Sequence, residues 1–192
     1  MSLLPKSKPA RSQKDVLAFL KKKGINHEGR LVLLAVRGYY RDSMGVKGKN
    51  DRRVYDDSVF VISPNVFASF NFNVDPNGYR SGSGTGSKKG MANLKEGVWK
   101  YQKGLHKGYQ AFTQAGEVIV VRDGNPSYED KGWFGINIHK GGATSTSSLG
   151  CQTLPYEQWD AFKNLVYGEL SRLAQKTFEY VLVDEAETKW NA

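Results

Sequence analysis

The sequence predicts a mostly β, α+β domain: a barrel or sandwich of short strands with one long helix packed on it. Three observations lead there. Beyond residue 24, short apolar or β-branched runs recur between Gly, Asn-Gly, Asp-Gly and Ser-Pro turn signals, with almost no helical periodicity for 130 residues. The composition, with 21 glycines and 12% aromatic residues, suits many tight turns around a bulky core. Only one stretch has helical spacing long enough for a substantial helix. At 192 residues a chain buries most of its apolar surface in a single core without disulfides or a structural metal, so one domain is expected.

Taken in order, residues 1–11 are rich in Pro, Lys and Ser, with too few apolar groups to order themselves, and read as a tail. Ser12 and Asp15 then make a capping pattern. Val16, Phe19 and Leu20 fall on one face of a short helix that Gly24 ends, with Lys14, Lys21, Lys22 and Lys23 on the other. Residues 1–24 are therefore expected as a basic tail plus a short amphipathic helix, and 25–192 as one domain. Strands are predicted at LVLLAV (31–36), SVFVI (58–62), VFASFNF (66–72), GVWKY (97–101), EVIVV (117–121) and WFGINIH (133–139). SGSGTGSKKG (81–90) lacks the spacing and context of a phosphate-binding loop and reads as a flexible surface loop. Pro155 opens the long helix, which runs to about Lys176 with Trp159, Phe162, Val166 and Leu173 at core spacing. TFEYVLV (177–183) alternates as a closing strand, and DEAETKWNA reads as a polar terminus.

The net charge of +9 is uneven. Residues 1–53 hold 14 Lys/Arg against 4 Asp/Glu, whereas the remainder is close to neutral. Such asymmetry points to an anionic partner: nucleic acid, a membrane surface or an acidic cell-wall polymer. No apolar run approaches the ~20 residues that cross a bilayer, so no membrane span is expected. The N-terminal segment also lacks the apolar stretch of a secretory signal. Synthesis in the cytoplasm is expected, with any extracellular action following release or delivery. The three histidines and single cysteine show no zinc-site spacing, and neither a metal nor a cofactor is expected.

Chemistry concentrates in GWFGINIHKGGATSTSSLGCQTLPYEQW (132–159). His139 ends an alternating strand, Gly141 and Gly142 follow, a Thr/Ser-rich loop crosses, and Ser148-Leu149-Gly150-Cys151 precedes the helix. A glycine-containing loop of this length can fold back and bring the imidazole to the thiol. An unperturbed thiol is only a few per cent thiolate at neutral pH, and an adjacent imidazole can take its proton. Backbone N–H groups of Leu149, Gly150 and Cys151 could then form an oxyanion hole. Each residue also has a plainer reading: a solitary cysteine is usually a small buried hydrophobe, and a strand-end histidine a hydrogen-bonded rim residue. The conjunction argues for chemistry. His106, in YQKGLHKGYQ, reads as a turn-region surface histidine or as lining the cleft. Asp56 and Asp57, adjacent on a strand, point to opposite faces and cannot form a glycosidase pair.

Ile138-His139-x-Gly141, then Ser148-x-Gly150-Cys151, then a helix with Trp159-Asp160-Ala161-Phe162, resembles the catalytic domain of the bacterial L,D-transpeptidases. Leu94-Lys95-Glu96-Gly97-Val98-Trp99 matches the family's strand entry more weakly, and Tyr180–Val183 its last strand, so the likeness spans residues 94–183. The resemblance implies a β-barrel-like or sandwich fold and a cysteine acyl-transfer enzyme acting on peptidoglycan stem peptides. It makes Cys151 the nucleophile and His139 the general base. Gly141 lies near the imidazole, and Ser148, Leu149 and Gly150 shape the oxyanion turn. The family's second histidine is Leu149 here and its arginine after the cysteine is Thr153, with a shorter His-to-Cys loop, so hydrolysis and cross-linking both stand open. Lys140 and Arg122 are the basic residues offered in place of that arginine, with Thr153 and His106 as further substrate contacts. On this reading the basic N-terminal segment binds anionic envelope polymer rather than a specific nucleic acid. Together with the missing signal, it suggests a phage lysis or virion protein, or a delivered effector. The alternative is an inactive virion or wall-binding protein that keeps the fold.

Overall fold

A computed structural model describes residues 2–82 and 88–190. The expected class holds: the chain is mostly β, with a nearly closed, barrel-like eight-stranded sheet, a small second sheet and helices. Helix α1 (Gln13–Lys22) is followed by β1 (Val32–Arg37), β2 (Asp57–Ser63) and β3 (Val66–Phe72). Next come β4 (Ala92–Leu94), β5 (Gly97–His106), β6 (Tyr109–Gln114), β7 (Val118–Arg122), β8 (Tyr128–Gly132) and β9 (Ile138–Lys140). β10 (Gln152–Leu154), α2 (Tyr156–Arg172), β11 (Thr177–Asp184) and α3 (Glu185–Thr188) complete the chain.

The large sheet runs β10-β9-β6-β5-β11-β1-β2-β3, and β4-β7-β8 form the small one. A bridge between Asn73 and Thr153, made by reciprocal backbone hydrogen bonds of 2.9 and 2.8 Å, joins the end of β3 to β10 and nearly closes the large sheet. β1 explains why LVLLAV reads as an unbroken apolar run. Its alternate side chains enter two different cores, so both faces are buried. Leu33 and Ala35 join the main core with Phe72, Phe112 and Tyr180, while Val32, Leu34 and Val36 meet Val16, Phe19 and Leu20 of α1. Helix α2 lays Trp159, Phe162 and Val166 on the main core, with Phe162 edge-on to both Phe70 and Phe112. Pro155 occupies its N-cap position. Ser12 caps α1 through the Asp15 N–H as its sequence predicts.

Several expectations are corrected. Residues 2–11 are not a free tail: the carbonyls of Leu3, Ser7 and Pro9 accept hydrogen bonds from the Tyr55 N–H, the Tyr40 hydroxyl and the Ser69 hydroxyl. A segment with few apolar side chains is ordered here by its backbone groups, which hydropathy does not register. The basic excess is likewise partly internal. Arg37 pairs with Asp75 and Glu96, Arg41 with Asp184, Arg52 with Asp123, and Lys23 with Glu187, tying the first quarter of the chain to the rest. Of WFGINIH only Ile138 and His139 are strand, the start of β9. The polar terminus forms α3, whose capping box is built on Asp184, and Trp190 packs edge-on against Phe19 and Phe60. Half of the segment read as a flexible loop (81–90), residues 83–87, lies outside the described residues.

Candidate active site

The parallel register of β9 and β10 creates the site. Ile138 pairs with Gln152 and His139 with Thr153, so Cys151, just before β10, lies across from Asn137. The Gln152 N–H confirms the offset by donating to the Asn137 carbonyl at 2.8 Å. Residues two apart on a strand share a face, which puts the side chain of His139 beside that of Asn137 and near the cysteine. The loop between the strands is held from within and without. The Gly142 N–H donates to the Ser145 carbonyl at 3.0 Å, and the Asn77 N–H donates to the Ser148 carbonyl at 2.7 Å.

The turn before Cys151 is stapled by one hydroxyl. Ser148 Oγ donates to the Cys151 carbonyl at 2.6 Å and accepts the Gly150 N–H at 3.0 Å. The Gly150 N–H is therefore committed, which corrects the expected three-donor oxyanion hole. Gly150 itself has φ +138, and a Cβ there would sit 2.5 Å from the Ala92 carbonyl oxygen, so the position requires glycine on two grounds. Leu149, where the resembling family has histidine, is 72% exposed.

His139 is buried, and Nδ1 donates to the Lys140 carbonyl at 2.7 Å. That bond places the ring proton on Nδ1 and leaves Nε2 as the basic nitrogen. The Tyr109 hydroxyl lies 3.3 Å from the same Nδ1. Burial lowers the His139 pKa to about 4, while its bond to the Lys140 carbonyl opposes the shift, and burial raises the Cys151 thiol. The resting pair is consequently neutral imidazole and protonated thiol. The expected increase in thiolate fraction is not a property of the resting site, because desolvation penalises both members of the ion pair. The thiol donates to the Gly135 carbonyl at 3.4 Å.

His106 belongs to the site. Its imidazole stacks on His139 with ring centroids 4.0 Å apart and planes 8° from parallel, and its Nδ1 lies 3.1 Å from the Asn137 amide. A nitrogen of each imidazole and the cysteine sulfur all lie within 4.8 Å of one another. The hairpin between β5 and β6 delivers it. Lys107 and Gly108 both have positive φ, the geometry of a two-residue primed turn, and His106 pairs directly with Tyr109. The turn dipeptide is Lys-Gly rather than Asn-Gly, which is why sequence reading missed both the hairpin and β6. Comparison with known proteins finds no matching family model, no similar characterised protein and no similar solved structure. The site therefore rests on its own geometry.

The other expected residues separate into two groups. Lys140 lies at the site, its ammonium 5.7 Å from the centre of the Tyr109 ring and 4.7 Å from that of Tyr156. Among the described residues it has no carboxylate partner. Arg122 is turned inward, bound to Asp130 at 2.7 Å and to the Gly90 carbonyl at 2.9 Å, and its charge is already neutralised. Thr153 is fully buried, and its hydroxyl accepts from Asn73 in the barrel closure. Neither side chain is free to meet a substrate. Gly141 sits where β9 leaves the sheet, its N–H bound to the Leu154 carbonyl at 2.8 Å and its α-carbon against the buried Tyr55. Among the described residues no helix is long and apolar enough to cross a membrane.

Proposed function

We propose that the protein is a cysteine acyl-transfer enzyme acting on peptidoglycan stem peptides, with Cys151 as nucleophile and His139 as general base. The observation that carries this reading is the pairing of a half-buried thiol with an imidazole whose Nδ1 is fixed by the Lys140 carbonyl, a base held by an orienting acceptor. As the thiol attacks a peptide carbonyl, its proton passes to Nε2. The S–C bond forms, the C–N bond breaks, and the imidazolium returns the proton to the leaving amine. Water or a second amine then takes the acyl group from sulfur. A neutral resting pair suits this general-base route, in which charge develops only with substrate in place. The backbone N–H groups of Leu149 and Cys151 remain as oxyanion donors.

The peptidoglycan assignment draws on the resemblance of the His139–Cys151 segment to the L,D-transpeptidases. A second support is the ammonium of Lys140, which lies over the ring of Tyr109, the residue whose hydroxyl meets His139, and offers a carboxylate anchor on this side of the molecule where Arg122 cannot. The exposed lysines Lys6, Lys8, Lys14, Lys21 and Lys22 supply a surface for anionic envelope polymer. A phage or delivered protein that meets the wall from outside its site of synthesis fits this combination. Purified protein incubated with sacculi in the presence of a chelator tests the proposal. Wild type should change the muropeptide profile and Cys151→Ala should not; identical profiles from the two would refute the enzyme and favour a wall-binding protein.

A further inference from the structure

The cluster at the site holds one more imidazole than the acyl-transfer chemistry uses. A single base, oriented by one carbonyl, suffices to deprotonate a thiol, yet His106 is brought in from a different hairpin and stacked on His139. Two imidazoles and a thiol form the donor set that Zn²⁺ prefers among the borderline and soft ligands. We infer that His106, His139 and Cys151 form a Zn²⁺-binding site with a fourth position open to water.

Geometry supports the assignment at three points. Zinc takes nitrogen at about 2.0–2.1 Å and sulfur at about 2.3 Å, so tetrahedral ligand atoms lie about 3.3–3.6 Å apart. Here all three fall within 4.8 Å; because a ring nitrogen binds a metal in the plane of its imidazole, the half-buried His106 must turn out of its stack on His139 as Cys151 rotates to close the remaining distance of about 1 Å. Next, zinc-bound histidines usually have their second nitrogen held by a protein group, which fixes the ring and its tautomer. His139 meets this condition through the Lys140 carbonyl at 2.7 Å. At His106 the Asn137 amide nitrogen lies 3.1 Å from Nδ1, so zinc binding requires that amide to make a half-turn and present its oxygen to the Nδ1–H. The Nε2 edge of each ring is then the one left for a ligand. Finally, the elements differ in rigidity as a closable site needs. His139 is on a paired strand of the large sheet, whereas His106 ends a strand at a two-residue turn.

Binding forms two Zn–N bonds and one Zn–S bond, and the thiol proton leaves to solvent. The same sulfur lone pair cannot also attack a carbonyl. Occupancy by zinc and acyl transfer are therefore mutually exclusive, and a bound ion holds the enzyme silent until it is withdrawn. That consequence rests on the cysteine reading above; the site itself does not.

The test uses the full chain, reduced and freed of metal, titrated with Co²⁺ as a spectroscopic probe and then with Zn²⁺. One Co²⁺ per chain should bind with the intense visible bands of a four-coordinate ion and a thiolate-to-metal charge-transfer band, and Zn²⁺ should abolish both. Zn²⁺ should also protect Cys151 from iodoacetamide. Cys151→Ser, close to isosteric, should lose the charge-transfer band. His106→Gln should weaken binding by at least the 10–100-fold that loss of even an outer partner causes. A charge-transfer band that fails to appear at stoichiometric Co²⁺ overturns the proposal. So does a His106→Gln protein that binds like wild type, or zinc that binds without shielding the thiol. Activity measured in chelator judges the cysteine reading separately, so either inference can fail alone.

Discussion

Gly141→Ala offers a sharp test of how the fold holds β9. An added Cβ would lie deep inside contact with the Tyr55 hydroxyl oxygen, 3.1 Å from the Tyr55 ring carbon that bears it and 2.8 Å from the Leu154 carbonyl oxygen. Tyr55 is fully buried and cannot swing away, and the Gly141 N–H is itself tied to Leu154. Overpacking of this kind typically costs about 1–3 kcal/mol. For a domain of this size each kcal/mol moves Tm by about 2–4 °C, so a loss of roughly 2–12 °C is expected. Tyr55→Phe alone should cost about 1 kcal/mol, since its hydroxyl makes only long bonds, 3.4 Å each, to the Ser145 and Leu154 carbonyls. The double variant loses the clashing oxygen and retains only the tighter ring and carbonyl contacts. Urea unfolding of the four proteins closes a double-mutant cycle, in which the double variant should be at least about 1 kcal/mol more stable than the two single effects predict. Additivity within about 0.5 kcal/mol would refute the packing argument and the position it assigns to His139.

Two further outcomes are expected. Burial pushes the Asp56 carboxyl up to about 7, helped by the charges of Asp75 and Asp51 and opposed by the Asp51 N–H, while burial and the neighbouring Asp56 and Asp75 raise Asp57. A raised carboxyl stabilises the fold below its unfolded pKa, and that stability is lost as pH rises through the folded value. His139, lowered to about 4, works in the opposite direction over an overlapping range, and Arg37 faces the cluster through Asp75. The comparison with Asp56→Asn therefore isolates the carboxyl. Between pH 5 and 8 the variant should gain about 3 kcal/mol on wild type by urea unfolding, at 1.36 kcal/mol per pKa unit; a constant difference would show that the carboxyl is not perturbed. Deleting residues 2–11 should cost about 2–4 kcal/mol, because the hydrogen bonds to Tyr55, Tyr40 and Ser69 disappear at about 1 kcal/mol each. An unchanged Tm would restore the reading of these residues as a free tail.

Legibility in the sequence followed the physics of each signal. Strands buried on one or both faces, such as β1, β2, β3 and β11, were readable because burial selects apolar and β-branched residues. β6, β8 and β10 were not: YQAFTQ, YEDKG and QTL lack the apolar density, and their order comes from pairing with neighbours distant in sequence. α3 was missed for a similar reason, since a four-residue polar helix is held by its cap and by Trp190 rather than by an apolar stripe. In the candidate site, His139 and Cys151, which the fold brings together, were singled out by local grammar. Tyr109 and Asn137 were not, and His106 was undervalued, because each acquires its role from a partner on another strand.

By itself the sequence determined the strand-rich class, the long helix after the cysteine and the cap of α1, and it singled out the segment in which His139 and Cys151 meet. These depend on residue type, period and short spacing, which a linear chain already contains. Tertiary structure decided the rest. The parallel register of β9 and β10 set Cys151 opposite Asn137 and beside His139, and a hairpin turn stacked His106 on that imidazole. Barrel closure turned Thr153 inward, and Asp130 claimed Arg122. Desolvation in the folded site held the thiol protonated and the imidazole neutral. Such properties arise from distances and burial, and residues 33 positions apart have neither until the sheet brings them together.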